Sequence, residues 1–481
     1  MVKPSDERNM ARSRWGLALV CMASLGALSL GACSEPEEQE APRRPNILFI
    51  LVDTLRADYL GTYGFQGDIS PHVDKLAGES VLFENCLSQA PWTKPSMASI
   101  MTSTYPRVHK LTNHAGMFWS ESEDNTVQTG VLSSEYTTLA ESMKELGYRT
   151  AGFVANPWIA GEFGFAQGFD VYEDDETGRS LPGDIFMAEA RDWLASLPED
   201  DEQPVFLYVH LMDVHDPFHA PYTDARDLAG SPTLGGERQL TEAPPGYLQD
   251  NATSRSLQHW RAAYAANVRA FDRRFSFFLD GLRQTGLLDD SYLVFTSDHG
   301  EELAEHDKWA HGFTLHHHQV HVPLFIRRPG GEGGGRRVQG LVQSIDLLPT
   351  MVSLAGGTPP DHAQGRDLSS LLLESKAEGE DGLESSFASA ARLTPGLYSM
   401  RSGAYSLIVD LYSGEQRLYD LERDPGEQWD LAAERPQVVS RLRAELDRHL
   451  AAMAAEGGIA PEQRPIDDER IEELQALGYT R

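Results

Sequence analysis

The stretch from Pro91 to His109, PWTKPSMASIMTSTYPRVH, places a hydroxyl residue just before a run of small residues typical of a helix. Pro favours the first turn of a helix, so we expect Thr93 or Lys94 to cap a helix that begins at Pro95. The N–H groups and dipole at such an end stabilise both an alkoxide and an attacked anion. Thr93 is therefore a candidate nucleophile towards an anionic ester, with an ordinary helix cap as the alternative.

Metal-type ligands follow three apolar runs, NILFILV, PVFLYVHLM and SYLVFTS. They are Asp53 after the first run, Asp213 with His215 after the second, and Asp298 with His299 after the third. Each Asp could instead cap a turn that follows a strand. Together at one sheet edge, carboxylates and imidazoles would form a divalent-metal site able to activate the Thr93 hydroxyl.

Six histidines lie between His306 and His321 in GEELAEHDKWAHGFTLHHHQVHVPLFIRRP. Three of them, at 316–318, are consecutive and cannot all point to one side of a strand, so we expect them on the surface or in a loop. Adventitious metal binding is the alternative there. His311, which precedes a Gly, is the one we place in the site, and Lys308 is a possible anion partner.

The elements that would position these residues repeat as a helix followed by an apolar strand. Amphipathic helices are predicted at 137–146, 184–197 and 258–282, each followed by a strand, which favours a large mainly parallel sheet flanked by helices. Ligands of such α/β sheets bind beyond the carboxyl ends of the strands. Short alternating runs after 391 and a helix near 436–455 predict a small C-terminal antiparallel-sheet subdomain.

The N-terminus has the pattern of a targeting segment, with basic residues, an apolar run and then LGACS, which resembles a bacterial lipobox. This predicts a lipoprotein signal peptide at 1–32, lipidation of Cys33, an acidic tether at 33–44, a catalytic domain at 45–390 and a C-terminal subdomain at 391–481. We therefore expect a cell-envelope protein anchored to a membrane by lipid, at the outer membrane or facing the periplasm. A plain signal peptide with a chance Cys is the alternative.

The net charge and the cysteine content limit the kinds of partner and covalent bond that the protein can have. The formal net charge of −32 disfavours nucleic acid, and an anionic substrate would need a local metal or cationic pocket. Cys86 would be the one thiol left in the folded part after Cys21 and Cys33, so we expect it to be a buried residue without a disulfide.

Seven motifs resemble the sulfatase family of the alkaline phosphatase superfamily. They are PNILFILVDTLRADYLGTYG, APWTKPSMASIMTSTYP, GYRTAGFVAN, FGFAQGFD, YVHLMDVHDPF, FTSDHGEELAEH and LYDLERDPGEQWDL. The resemblance implies hydrolysis of sulfate or phosphate esters of small molecules or glycans. It also implies a divalent cation, calcium or magnesium first and manganese or zinc next, held by Asp53, Asp298 and His299 with Thr93 beside it.

The same resemblance assigns further roles. Thr93 falls at the nucleophile position, His215 would hold the ester oxygen or protonate the leaving group, and His311 would face the anionic group. His109 would be a further anion contact, beside Lys308.

The chain departs from the sulfatase motif at the nucleophile. Sulfatases carry Cys or Ser in C/S-x-P-x-R, oxidised to formylglycine, whereas this chain has Thr93 and, at the Arg place, Met97. No formylglycine is expected from a Thr. Three hypotheses follow: a metal-dependent sulfatase-family hydrolase using Thr93, a phosphodiesterase or phospho-transferase of the same superfamily, and a catalytically silent binding protein.

Overall fold

The computed structural model describes residues 43–112, 120–121, 127–174, 183–198, 202–216, 218, 220, 222–229, 257–373, 385–389 and 396–466. They belong to one compact unit, Arg43–Arg481. The predicted signal peptide, Cys33 and all but the end of the tether lie outside the described residues, so these expectations stay predictions. Within the described ranges, no helix has both the length and the apolar character needed to cross a membrane.

The strands are short and mostly buried. In chain order they are β1 Asn46–Val52, β2 Val81–Leu87, β3 Ser120–Glu121, β4 Val127–Val131, β5 Arg149–Val154, β6 Val171–Asp174, β7 Val205–Leu211, β8 Ser291–Thr296, β9 Glu302–Leu303, β10 Trp309–Ala310, β11 His321–Arg327, β12 Arg337–Gln343, β13 Ser385–Ala388, β14 Leu397–Ser402, β15 Tyr405–Asp410, β16 Gln416–Asp420 and β17 Glu462–Pro465.

The helices lie mainly between strands of the central sheet. In chain order they are α1 Pro71–Gly78, α2 Thr93–Thr102, α3 Pro106–His109, α4 Leu139–Glu145, α5 Gly183–Ser196, α6 Tyr222–Ala229, α7 Leu257–Gln284, α8 His317–Val320, α9 Leu347–Leu354, α10 Ser369–Leu373 and α11 Pro436–Glu456. Short 3₁₀ turns occupy Ala57–Tyr59, Gly61–Tyr63, Pro157–Ile159, Gly161–Phe163, Pro329–Gly331 and Ser344–Asp346.

The central sheet has eight strands in the order β12-β2-β11-β8-β1-β7-β5-β6. Every strand runs parallel to its neighbours except β11, which is antiparallel to β8 and β2. The sequence prediction of a large mainly parallel sheet flanked by helices is confirmed.

The continuous apolar run of β1 is explained by cores on both faces of the sheet. Leu48, Ile50 and Val52 pack in one cluster with α1, α5 and α7, whereas Phe49 and Leu51 pack in the other with α2, α4 and α9. A strand covered on both sides has no face for polar residues. Polar side chains therefore appear only where the strands end.

The small C-terminal sheet is antiparallel, in the order β13-β14-β15-β16, as predicted. Helix α11 packs on it, with Leu442 and Leu446 buried. Its first strand, β13, begins before the predicted boundary at 390, and the division into domains stays a prediction. A further three-stranded sheet, β17-β4-β3, joins residues 462–465 to strands that precede α4.

Candidate functional site

The carboxyl ends of four neighbouring strands define the candidate site. In the sheet, β8, β1, β7 and β5 lie side by side and parallel, so their ends come to one edge. Leu51 of β1 is opposite both His210 of β7 and Thr296 of β8, and Val154 of β5 is opposite His210, so the four ends lie at one level. The residues that follow the strands therefore converge, as the sequence predicts.

Thr93 lies at this edge, but its place in the helix differs from the prediction. Helix α2 begins at Thr93 itself, with Trp92 in the N-cap position and no side-chain capping bond. The first four N–H groups of a helix have no partner within it, so Pro95 fits at the third position and need not begin the helix. The prediction that Thr93 or Lys94 caps the helix is wrong, and the Thr93 hydroxyl faces the site.

Thr93 Oγ1 lies among three polar side chains. It is 3.3 Å from His299 Nε2, 3.4 Å from Asp53 Oδ2 and 3.3 Å from Asn156 Nδ2. Thr93 is fully buried. A buried hydroxyl at a helix N-terminus, within reach of a carboxylate and an imidazole, has the surroundings that a nucleophile requires.

The two carboxylates at the centre are fully buried. Burial raises the pKa of Asp53 to about 8, helped by the charge of Asp298, and burial raises the pKa of Asp298 to about 7. Two buried carboxyl groups this close favour their neutral forms unless positive charge is supplied. The pair therefore favours a cation between them.

His299 is oriented by its own main chain. Its Nδ1 donates to the carbonyl oxygen of Gly300 at 2.8 Å, so Nε2 carries the lone pair. That atom lies 3.3 Å from Asp298 Oδ2 and 3.6 Å from Asp53 Oδ1. The ring can therefore act as a ligand or as a proton acceptor at the same point.

Two members of the cluster, His210 and Asn156, are not among the residues predicted from the sequence. His210 lies within β7, with Nε2 3.6 Å from Asp53 Oδ2, and Asn156 Nδ2 donates to the same oxygen at 2.7 Å. The sequence feature that could have indicated His210 is a single imidazole within the otherwise apolar run PVFLYVHLM. Asn156 follows β5, so the strand-end rule already applied to Asp53 would have found it.

The residues present fit a divalent cation. Ligand atoms of Asp53, His210 and Asp298 lie within 4.8 Å of one another. Among the described residues, Asp53 Oδ1, Asp298 Oδ2 and both His210 nitrogens are buried without a hydrogen-bond partner. Because buried polar atoms are normally paired, the two unmatched carboxylate oxygens, with one His210 nitrogen beside them, indicate a ligand set.

His215 and His311 border this cluster. The ring of His311 lies 4.6 Å from that of His299 and 5.0 Å from that of His215, between centroids. His215 Nδ1 bonds to the Asp216 carbonyl, and burial lowers the pKa of His215 to about 3. His311 Nδ1 lies 3.3 Å from Glu301 Oε2. Both rings are placed beside the metal-type ligands, and their catalytic roles stay predictions.

Three other residues named from the sequence have different surroundings. His109 uses both ring nitrogens locally, on Ser99 Oγ at 3.1 Å and the Leu111 amide at 3.0 Å. Lys308 is exposed in the turn between β9 and β10. Asp213 accepts a 2.6 Å bond from Arg274 of α7. The anion contacts of His109 and Lys308 stay predictions.

Fold and site together define a class: ester hydrolases that gather a hydroxyl residue and metal-type ligands at the carboxyl edge of a mainly parallel sheet. The chain belongs to the sulfatase family, whose model, described as Sulfatase, matches residues 45–357. A second model, N-sulphoglucosamine sulphohydrolase, C-terminal, matches residues 304–456. The protein is therefore a sulfatase-family enzyme within the alkaline phosphatase superfamily.

Individual relatives are distant in sequence. The chain is 27% identical to an ulvan-active sulfatase of Formosa agariphila, over 94% of this chain and 90% of the relative. It is 27% identical to a choline-sulfatase of Rhizobium meliloti, over 81% and 82%. Among solved structures, a phosphonate monoester hydrolase of Silicibacter pomeroyi has a TM-score of 0.68 at 22% identity, covering 86% of this chain and 96% of that one. The last likeness shows the fold alone.

Proposed function

We propose that this protein is a metal-dependent hydrolase of sulfate or phosphate esters in which Thr93 is the nucleophile. The observation that carries the proposal is the position of Thr93 Oγ1, within 3.4 Å of Asp53, Asn156 and His299. A divalent cation held by Asp53, Asp298 and His299 would lower the pKa of the Thr93 hydroxyl and neutralise the ester oxygens. Calcium or magnesium suits the carboxylate oxygens best.

The hydroxyl of Thr93 is already oriented for attack. Asn156 Nδ2 donates to Oγ1, so with His299 Nε2 bound to the cation the hydroxyl hydrogen is directed to Asp53 Oδ2, which accepts it. Loss of that proton leaves an alkoxide at the positive end of α2, where the main-chain dipole stabilises it. Asn156 thus fixes the direction of the nucleophile without taking part in bond making.

His215 and His311 receive the anionic ester in this proposal. The depressed pKa of His215 keeps it neutral in the substrate-free protein, because burial disfavours the imidazolium. A bound dianion would raise that pKa, so His215 could then protonate the leaving oxygen. Glu301 orients His311 through Nδ1. With a phosphoester, the Thr93 oxygen bonds to phosphorus, the alcohol leaves, and water then hydrolyses the covalent Thr93 ester.

The proposed substrates include esters of glycans and of small molecules. Relatives carry names for both, an ulvan-active sulfatase and a choline-sulfatase. A second candidate function, phosphodiesterase or phospho-transferase, is favoured by Thr93 itself, because a Thr lacks the second hydroxyl with which formylglycine expels sulfate. A silent binding protein remains the outcome if no ester is cleaved.

The test compares the purified full chain with Thr93→Ala and Thr93→Ser on aryl sulfate, phosphate monoester, phosphodiester and phosphonate monoester. Assays are run with calcium, magnesium, manganese and zinc in turn. We expect Thr93→Ala to lower kcat/KM about 10³-fold or more, and Thr93→Ser to retain most activity. Wild-type rates untouched by Thr93→Ala would remove Thr93 from the mechanism. If no ester is cleaved with any of the cations, the result would favour a catalytically silent binding protein.

The N-terminal pattern supports a proposal about location, that the chain is anchored in the cell envelope through a lipid on Cys33. Expression of the full chain in a Gram-negative host with labelled fatty acid tests it. The wild type is expected to carry label and to fractionate with membranes, and Cys33→Ala to carry none. Label retained in Cys33→Ala would contradict the assignment.

A further inference from the structure

A second group of metal-type ligands lies outside the catalytic cluster. Glu302 is in β9, His306 follows it in the turn, and His316 and His318 lie at the start of α8. One ligand atom from each lies within 4.8 Å of the others. His318 Nε2 is 2.7 Å from Glu302 Oε2, and Nδ1 of His316 and of His306 lie 3.5 and 3.7 Å from Oε1.

The three consecutive histidines were expected on the surface or in a loop, and two of them are instead buried. His316 is 2% exposed and His318 6% exposed. His317, between them, points elsewhere and stacks on His321 with ring centroids 4.4 Å apart. The side chains of the run therefore alternate in direction. His316 and His318 contact the buried carboxylate of Glu302, and His317 does not.

Three of the imidazole nitrogens in the cluster lack hydrogen bonds. In the described part of the chain, both nitrogens of His316 and Nδ1 of His306 are buried without a hydrogen-bond partner. The rings of His306 and His316 approach to 3.5 Å between centroids. Rings that only pack prefer about 4.5–7 Å. Unsatisfied nitrogens in rings this close are expected where the lone pairs share one ligand.

Neighbouring groups hold the ligands in orientations suited to a metal. His306 Nε2 donates to the Glu427 carbonyl oxygen at 3.0 Å, which leaves the Nδ1 lone pair directed at Glu302. Thr314 Oγ1 donates to Glu302 Oε1 at 2.7 Å. Metal-binding imidazoles and carboxylates typically have such outer hydrogen bonds, which set the tautomer and the ring direction.

We propose that Glu302, His306, His316 and His318 form a structural site for zinc, separate from the catalytic cation site. Three imidazole nitrogens and one carboxylate oxygen suit zinc, whereas calcium and magnesium take oxygen ligands. Four protein ligands complete a tetrahedral shell, so the site has no position for substrate. This separates it in kind from the carboxylate-rich cluster at Asp53 and Asp298.

The site would cross-link residues 302–318, the segment that meets the C-terminal part of the chain at Glu427. His311 lies in the chain between ligands His306 and His316, and Glu301, which contacts His311, precedes ligand Glu302. Across the junction, Glu427 accepts from the His317 amide at 2.7 Å. A metal at this place would therefore hold His311 in register with the rest of the site.

Metal binding by the full chain tests the proposal. Protein stripped of metal is given excess calcium or magnesium and then titrated with Zn²⁺, or with Co²⁺ as a coloured probe. We expect one tight equivalent of zinc and the visible bands of tetrahedral cobalt. His316→Gln and His318→Gln should lower zinc affinity by about 10-fold to 100-fold or more.

The matched control is His317→Gln, from the same run but directed away from the cluster, which should bind zinc as the wild type does. Asp53→Asn should also keep the zinc equivalent, because it belongs to the other cluster. Zinc-edge absorption of the wild type should give nitrogen and oxygen neighbours at about 2.0–2.1 Å, which needs no variant to fold. No zinc uptake, or equal uptake by His316→Gln and His318→Gln, would overturn the proposal.

Discussion

Asn156 joins the two groups on which the proposed chemistry depends, because one amide nitrogen donates to both Asp53 and Thr93. Its Oδ1 in turn accepts from the Trp158 amide at 2.8 Å, which fixes the side chain. We predict that Asn156→Ala lowers kcat/KM about 10-fold to 100-fold, as loss of an outer partner typically does. Steady-state kinetics with the best ester substrate measures this, and unchanged kcat/KM would contradict it.

Asp53 supplies a carboxylate oxygen that has no hydrogen-bond donor in the described part of the chain. We predict that calcium or magnesium raises the melting temperature of the wild type, since a ligand at 100 times its Kd adds about 2.7 kcal/mol. Asp53→Asn should abolish this increase. The matched control is Asp213→Asn, another strand-end carboxylate, which pairs with Arg274 and should leave the increase intact. An equal cation response in Asp53→Asn would place the cation elsewhere.

The sequence predicted most of the site residues that follow strands, although not Asn156, and missed those whose role depends on packing. Asp53, Asp298 and His299 follow from the rule that parallel strands end at one edge. His210 does not follow from this rule, because it lies inside β7. The sequence does not show whether a side chain inside a strand faces the apolar core or the site. His316 and His318 were expected on the surface or in a loop, with adventitious metal binding as the alternative, because spacing alone does not reveal their contacts with Glu302.

Helix α1 depends on a carboxylate from another element. Its N-cap residue, Ser70, makes no capping bond to the helix, and Asp272 of α7 instead accepts from the amides of His72 and Val73 at 3.0 and 2.8 Å. Asp272 thereby accepts hydrogen bonds from two amides at the start of α1 that have no partner within the helix. We predict that Asp272→Ala costs about 1–2 kcal/mol in the free energy of unfolding, measured by urea denaturation.

Asp272 also predicts a pH dependence. Burial raises its pKa from 3.8 to about 6. The folded state therefore holds this proton more tightly than the unfolded chain, and its contribution to stability is lost as pH rises from 3.8 through 6. Relative to Asp272→Asn, the wild type should lose unfolding free energy over that window. Asp280→Asn, an exposed site on the same helix, is the control, and parallel curves for wild type and Asp272→Asn would contradict the prediction.

At the scale of the whole molecule, the small sheet packs against the large one and shares part of its interior. Gln343, at the end of β12, accepts through Oε1 from Tyr105 at 3.0 Å, Gln89 at 3.3 Å and Ser386 of β13 at 3.1 Å. One apolar cluster contains Leu87 from the large sheet together with residues of the small one. The sequence correctly predicted both sheets, but not this shared interior, because no local pattern encodes contacts so far apart in the chain.

We predict that Gln343→Leu lowers the free energy of unfolding by about 2–3 kcal/mol, because three buried donors lose one acceptor. Gln339→Leu, an exposed position on the same strand, should change it little. A single urea transition for the wild type, followed by both fluorescence and circular dichroism, is also expected if the two sheets unfold together. Two separate transitions would show that the small sheet is an independent unit.

The antiparallel pairing of β8 with β11 determines where the chain can gain residues during evolution. Thr296 is opposite Leu324, so residues 297–320 leave the sheet and return to it one strand away. Main-chain hydrogen bonds hold the two ends side by side, and loop-closure entropy grows only slowly with length. Insertions can therefore accumulate at the exposed turn of this segment, at Asp307 and Lys308, while the sheet and the ligand residues on either side keep their places. That turn is the position at which an engineer would add residues to give the scaffold a different specificity.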